Sequence, residues 1–240
     1  MSRYYIEDKE FGTVLVHTRA GMITLRAVVK DGKVLLRVPE GASEKSLHEM
    51  IDRYREELRG LFSKYSERKH LYRDGMEIEC FGGYTITIGV QHESPGRVEY
   101  GCIGKELYVK IPADSTFESD IVENTVSRII KLMVRQRAER VIVPFAMSIA
   151  SKLGVKVKGF VMGYGMNKLG HCTRSGEIQL SHYLMFLPEH LVRHVVCHEL
   201  AHLSHFDHSP AFHALVDKYS GGSERADIKE LKDFKWPVKR

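Results

Sequence analysis

The run HVVCHELAHLSHFDHSPAF, from His194 to Phe212, places five histidines and one glutamate within nineteen residues. His198, Glu199 and His202 spell H-E-x-x-H in a segment of helical pattern supported by Leu191, Val195, Val196, Leu200 and Leu203. Residues four apart lie on one helix face, about 6 Å apart along the axis, so two imidazoles can converge on one cation. Glu199 projects beside that cation, where a carboxylate can take a proton from the attacking water. The chemistry this implies is metal-dependent hydrolysis with a glutamate general base.

A third ligand is needed, and His208 follows six residues after His202. On a straight helix it would stand about 15 Å from His198, out of reach. The helix is therefore predicted to end soon after His202 and the chain to turn back. Asp207 tolerates turn conformations, Ser209 can cap a new helix and Pro210 suits its first position. A glycine is missing from this turn, where His205 stands, so a left-handed residue is not expected there. Glu224 and Glu230 are the alternative third ligands; His194 and His205 lie near the same stripe as His198 and His202.

The elements around this run fall into two patterns. From Met22 to Pro112 the chain reads as strands: MITLRAVV and KVLLRVP around the turn signal Asp31-Gly32, then MEIECF, YTITIGV and ELYVKIP. Between them a helix is predicted from Ser43 as N-cap, with Leu47, Met50, Ile51, Tyr54, Leu58, Leu61, Phe62 and Tyr65 on one stripe. After Pro112 the period becomes helical: Ile121 to Val134, an interruption near Pro144, and a second stretch capped by Gly154. VKVKGFVMGY and EIQLSHY read as strands, with the latter expected at a sheet edge, and a helix follows Leu187-Pro188. The fold class is α+β, with a β-rich region over residues 1–112 and a helix-and-sheet hydrolase domain over 113–240. No internal repeat is legible.

LGHCTRSGEIQLSHYLMFLPEHLVRHVVCHELAHLSHFDHSPAFHALVDKY resembles the YgjP-like metallopeptidases, whose pattern is W-G-S-C, a strand, a helix with V-x-H-E-L-x-H, then N-H-S-x-x-F. VPEGASEKSLHEMI resembles the opening region of the same family. The resemblance implies a compact zincin-like fold, related to SprT-like and gluzincin-like peptidases. It also implies Zn²⁺ held by His198, His202 and His208, with Glu199 as general base. The chain departs from the pattern at Leu169, where the family has tryptophan, at His171, and at His213, where a second tryptophan stands.

The substrate expected is a peptide or protein. Alternation along Glu177–Tyr183 puts Ile178 and Leu180 toward a core and Gln179 and Ser181 on the opposite face, where an edge strand would meet an extended peptide. His171, Arg174 and Tyr219 are candidates for stabilising the oxyanion. The alternatives are a SprT-like protein associated with DNA and a zinc-binding module without turnover. The net charge is +5, and the excess lies mainly after Pro112, including Arg135, Arg137 and Arg140, which allows weak nucleic-acid association. No segment reads as a membrane span or signal peptide, and the four scattered cysteines fit a reducing cytoplasm.

Overall fold

The computed structural model describes residues 3–21, 26–30, 33–66, 70–92, 96–163 and 165–239. By its internal contacts the chain divides into two units, residues 1–70 with 116–123, and residues 71–115 with 124–240. The strands after residue 70 thus belong with the helices that follow them, and the dividing line does not fall at the change of pattern after Pro112.

The first unit holds β1 (Arg3–Asp8), β2 (Gly12–Arg19), β3 (Arg26–Lys30) and β4 (Lys33–Pro39) in the order β1-β2-β4-β3. The outer pairs are antiparallel and the central β2–β4 pair is parallel. Alternate residues Val14, Val16, Val34, Leu36 and Val38 are buried, as a one-sided sheet requires. They pack with Leu47 and Ile51 of α1 (Glu44–Arg53) and Leu58 of α2 (Arg55–Ser66). Ser43 caps α1, its Oγ accepting from the Ser46 N–H at 3.2 Å. The single predicted stripe is broken at Tyr54, whose φ of −103° and ψ of 16° end α1 before α2 begins. The Asp31-Gly32 turn lies outside the described residues, although Lys30 and Lys33 pair across its base.

In the second unit, β5 (Met76–Cys80), β6 (Tyr84–Gln91), β7 (Glu99–Ile103) and β8 (Glu106–Pro112) form a sheet in the order β5-β6-β8-β7. This repeats the first sheet strand for strand, again with a parallel central pair between antiparallel ones. The register repeats too. Ile6 faces Val14 as Ile78 faces Ile86, and Arg19 faces Pro39 as Gln91 faces Pro112. An internal repeat is therefore present that the sequence does not disclose.

After this sheet comes α3 (Asp120–Leu153), continuous through Pro144, where the sequence predicts an interruption. Proline removes one N–H and crowds the preceding turn. Ile142, Ala146, Ile149 and Ala150 on either side are buried, and that burial carries the helix across the gap. Gly154, at φ +67°, follows its end.

A third sheet has the order β10-β11-β9, from β9 (Gly159–Gly163), β10 (Gly170–Cys172) and β11 (Glu177–Ser181). A 3₁₀ turn (His182–Phe186) leads to α4 (Glu189–Ala201), α5 (Pro210–Ser220) and α6 (Glu224–Asp233). Among the described residues, no helix is long and apolar enough to cross a membrane.

Candidate active site

His198 and Glu199 lie in the last turn of α4, and His202 is its C-cap. The helix stops there by tightening: the N–H groups of Ser204 and His205 both reach the Ala201 carbonyl at 3.0 Å. Ser209 then caps α5, its Oγ accepting from Phe212 N–H, with Pro210 in the first turn. The turn back predicted from Asp207, Ser209 and Pro210 is the one observed.

It brings His208 onto the helix. One ring nitrogen from each of His198, His202 and His208 lies within 4.8 Å of the other two, the only such set of three among the described residues. Zinc with nitrogens at about 2.0–2.1 Å in tetrahedral geometry separates its ligand atoms by about 3.3 Å. His198 Nε2 and His208 Nε2 are 3.4 Å apart, so these residues fit that ion. The backbone carbonyl of His205 stands 3.0 Å from His202 Nδ1, which fixes the ring and leaves its other nitrogen for a metal. Phe212, fully buried, forms the floor: its ring centroid is 4.9, 4.5 and 4.9 Å from those of His198, His202 and His208.

Burial, with His202 and His208 adding to it, pushes His198 down to about 3. Burial also lowers His202. Both rings are therefore neutral at physiological pH, the form that ligates. The alternative ligands are engaged elsewhere. Glu224 Oε1 meets His213 Nδ1 at 2.6 Å, and Glu230 Oε2 meets His190 Nε2 at 3.0 Å. His194 is buried near Asp227, with its ring 6.4 Å from that of His198. His205 contributes its carbonyl to the site.

Glu199 is 5% exposed, and burial pushes its carboxyl up to about 7, partly offset by a hydrogen bond from the Cys172 backbone N–H. That bond identifies the strand that faces the site. β11 lies between β9 and β10, paired on both sides, and is not an edge. Gln179 is exposed and lies over Gly163. Ser181 is buried: its Oγ donates to the Gly165 carbonyl and accepts from Tyr183 N–H. The backbone of both residues is thus committed within the sheet, which overturns the edge-strand reading of Glu177–Tyr183. Ile178 and Leu180 do face a core.

The edge is β10. The Leu169 carbonyl accepts from Ser181 N–H and Thr173 N–H donates to Glu177, so alternation turns the backbone groups of Gly170 and Cys172 away from β11. They face α4. A Cβ added at Gly170 would stand 2.6 Å from the Glu199 carboxyl carbon, so the Glu199 side chain fits only because residue 170 is glycine. Both points escaped the sequence reading, although the Gly170–Cys172 segment was visible in the L-G-H-C motif.

Of the three oxyanion candidates, His171 sits on β10, exposed and near enough for its charge to lower His202. Arg174 is exposed in the β10–β11 turn. Tyr219 packs against the buried cluster of Ala201, Phe212 and Val216.

A family model for the YgjP-like metallopeptidase domain matches residues 23–233, nearly the whole chain. The chain belongs to the YgjP-like family. Its members are named as metallopeptidases, so a metal-dependent peptidase is the family's character. No curated protein and no solved structure matches the chain. In this YgjP-like chain the three-histidine cluster and the buried glutamate beside it lie wholly within the second unit.

Proposed function

We propose that the protein is a zinc-dependent peptidase with His198, His202 and His208 as ligands and Glu199 as general base. The observation that carries this is the convergence of three imidazoles beside a buried carboxylate at the edge strand β10. Zinc bound there supplies Lewis acidity to water and to the scissile carbonyl. Glu199, with its carboxyl raised toward neutrality, accepts the proton lost by the attacking water and returns it to the leaving amine. An extended peptide pairs with the outward backbone groups of β10 other than the Cys172 N–H, which Glu199 holds, and His171 beside it donates to the developing oxyanion. A zinc-binding module without turnover has no use for a carboxylate held in this position. The four cysteines are free, which fits a reducing cytoplasm.

The test is metal content together with cleavage. Purified protein is expected to bind about one zinc per chain and to cleave a peptide library. A chelator should abolish that cleavage and zinc should restore it, while His208→Ala loses most of the metal. Full zinc in His208→Ala would remove that ligand, and zinc-loaded protein that cleaves no peptide would remove the activity.

One observation favours a second role. Exposed Tyr100 shares a hollow with Arg97 and Arg128, a combination suited to stacking on bases and pairing with phosphates. Binding to single-stranded DNA should then fall steeply with salt, with a smaller slope in Arg128→Ala. Affinity that does not change with salt excludes it.

A further inference from the structure

α6 buries the wrong residues for a helix that merely packs. Its sequence, ERADIKELKD, has Ile228 and Leu231 as its large apolar residues, three apart on one face. Yet Ile228 is 43% exposed and Leu231 half-buried, while Glu224 and Asp227 are the buried positions. The acids anchor the helix. Glu224 contacts His213, its backbone N–H donates to Asp217, and the Asp227 carboxylate accepts from Ser223 Oγ at 2.6 Å. Ile228 and Leu231 are thereby presented to a hollow of about 500 Å³. Leu169 and Val195 line its other walls, and His198 and Glu199 lie within it. Lys232 also borders it.

We propose that this hollow is an apolar subsite that receives a large aliphatic or aromatic side chain of a peptide, next to the bond that is cut. The proposal rests on the peptidase reading above and adds the substrate class. A hollow of this volume holds a leucine or phenylalanine side chain with room to spare. Ile228 is left 43% exposed at the wall of this hollow. Because Glu199 lines the same hollow, a side chain seated there places its own backbone at the general base. Binding energy from the side chain is then available to position the reacting bond.

Amino-acid hydroxamates bound to the zinc-loaded protein test this by calorimetry, without requiring turnover. Leucine and phenylalanine hydroxamates are expected to bind at least about ten-fold tighter than glycine hydroxamate, the effect of burying one such side chain. In Ile228→Glu the preference should fall below about three-fold, with zinc content and glycine hydroxamate affinity unchanged. Leu169→Trp, which fills the hollow from the opposite wall, should remove the preference by a different route. Ile228 is substantially exposed, so its substitution leaves the fold intact, as circular dichroism will show. Equal affinity across the series overturns the subsite, as does a preference that survives both substitutions. Aspartic acid hydroxamate binding as tightly as leucine would assign the hollow to Lys232 and overturn its apolar character. Failure of every hydroxamate to bind overturns the open metal position itself, and the subsite with it.

Discussion

The sheets Arg3–Pro39 and Met76–Pro112 share strand order, strand directions and register, and each is followed by a helix. They diverge in two ways. In the first, Asp8 ends β1 and is buried, its carboxylate held by Arg55 and by the backbone N–H groups of Glu10 and Phe11. In the second, the equivalent position at the end of β5 is Cys80, also buried, with its thiol pushed up to about 12 by burial. The first sheet is covered by the short helices α1 and α2. The second belongs to the unit in which most of α3, the third sheet and the three-histidine cluster are found. One backbone plan thus serves as a closed layer held partly by an ion pair, and as an apolar layer within the unit that holds the histidine cluster.

The largest expected effects come from emptying one core position in each of the two equivalent central strand pairs. Val16 faces Leu36 in the first sheet as Ile88 faces Val109 in the second, and both Leu36 and Ile88 are buried. Leu36→Ala and Ile88→Ala should each cost about 2–5 kcal/mol. Hydrogen exchange should place the loss in β2 and β4 for the first variant and in β6 and β8 for the second. Zinc stabilises only the unit that binds it, so it should offset the Ile88→Ala loss and leave the Leu36→Ala loss as it is. Equal rescue of both variants would break the distinction between the two layers.

Asp8→Asn should cost about 1.5–3 kcal/mol, the range for a hydrogen bond to a charged group. The Arg55 guanidinium holds the Asp8 carboxyl well below the usual carboxylate range. That stability is fully present above the unfolded carboxylate pKa, near 4, and is lost as pH falls through the depressed folded value. Acid should therefore open the first sheet, and Asp8→Asn should flatten this dependence. Hydrogen exchange that shows no acid sensitivity in β1 and β2 would contradict the role given to the ion pair.

Cys80→Ala should have the smallest effect, about 1 kcal/mol from lost packing. Its thiol stays protonated throughout the acid range, so the cost should be the same from pH 3 to pH 7. A cost that varies with pH in that interval would mean the two positions are less different than their chemistry implies.

What was legible in the sequence was local. The H-E-x-x-H spacing, the stop after His202, the Ser209 cap and the capping serine at Ser43 all depend on residues within a few positions of one another. Strand order is nonlocal, and there the reading failed. β11 has the alternation of a half-exposed strand at Gln179, but nothing in its sequence reveals that β10 covers it. The contact between Gly170 and Glu199, and the Cys172 N–H that meets the same carboxylate, join residues about thirty apart. The repeat is hidden because few equivalent positions match as closely as Pro39 and Pro112; most share only apolar character, as Val16 and Ile88 do, and Asp8 and Cys80 not even that. Pro144 misled for the complementary reason: a strong local signal was overridden by burial on both sides of it.

The central claim is that Glu199, beside a three-histidine metal centre, is the proton acceptor in peptide hydrolysis. The most direct test compares cleavage of a peptide library by zinc-loaded wild-type protein and by zinc-loaded Glu199→Gln at equal metal content. The glutamine amide cannot take the proton, and cleavage should fall by about 10²–10⁴-fold while zinc and fold are retained. Undiminished cleavage by Glu199→Gln would contradict the account.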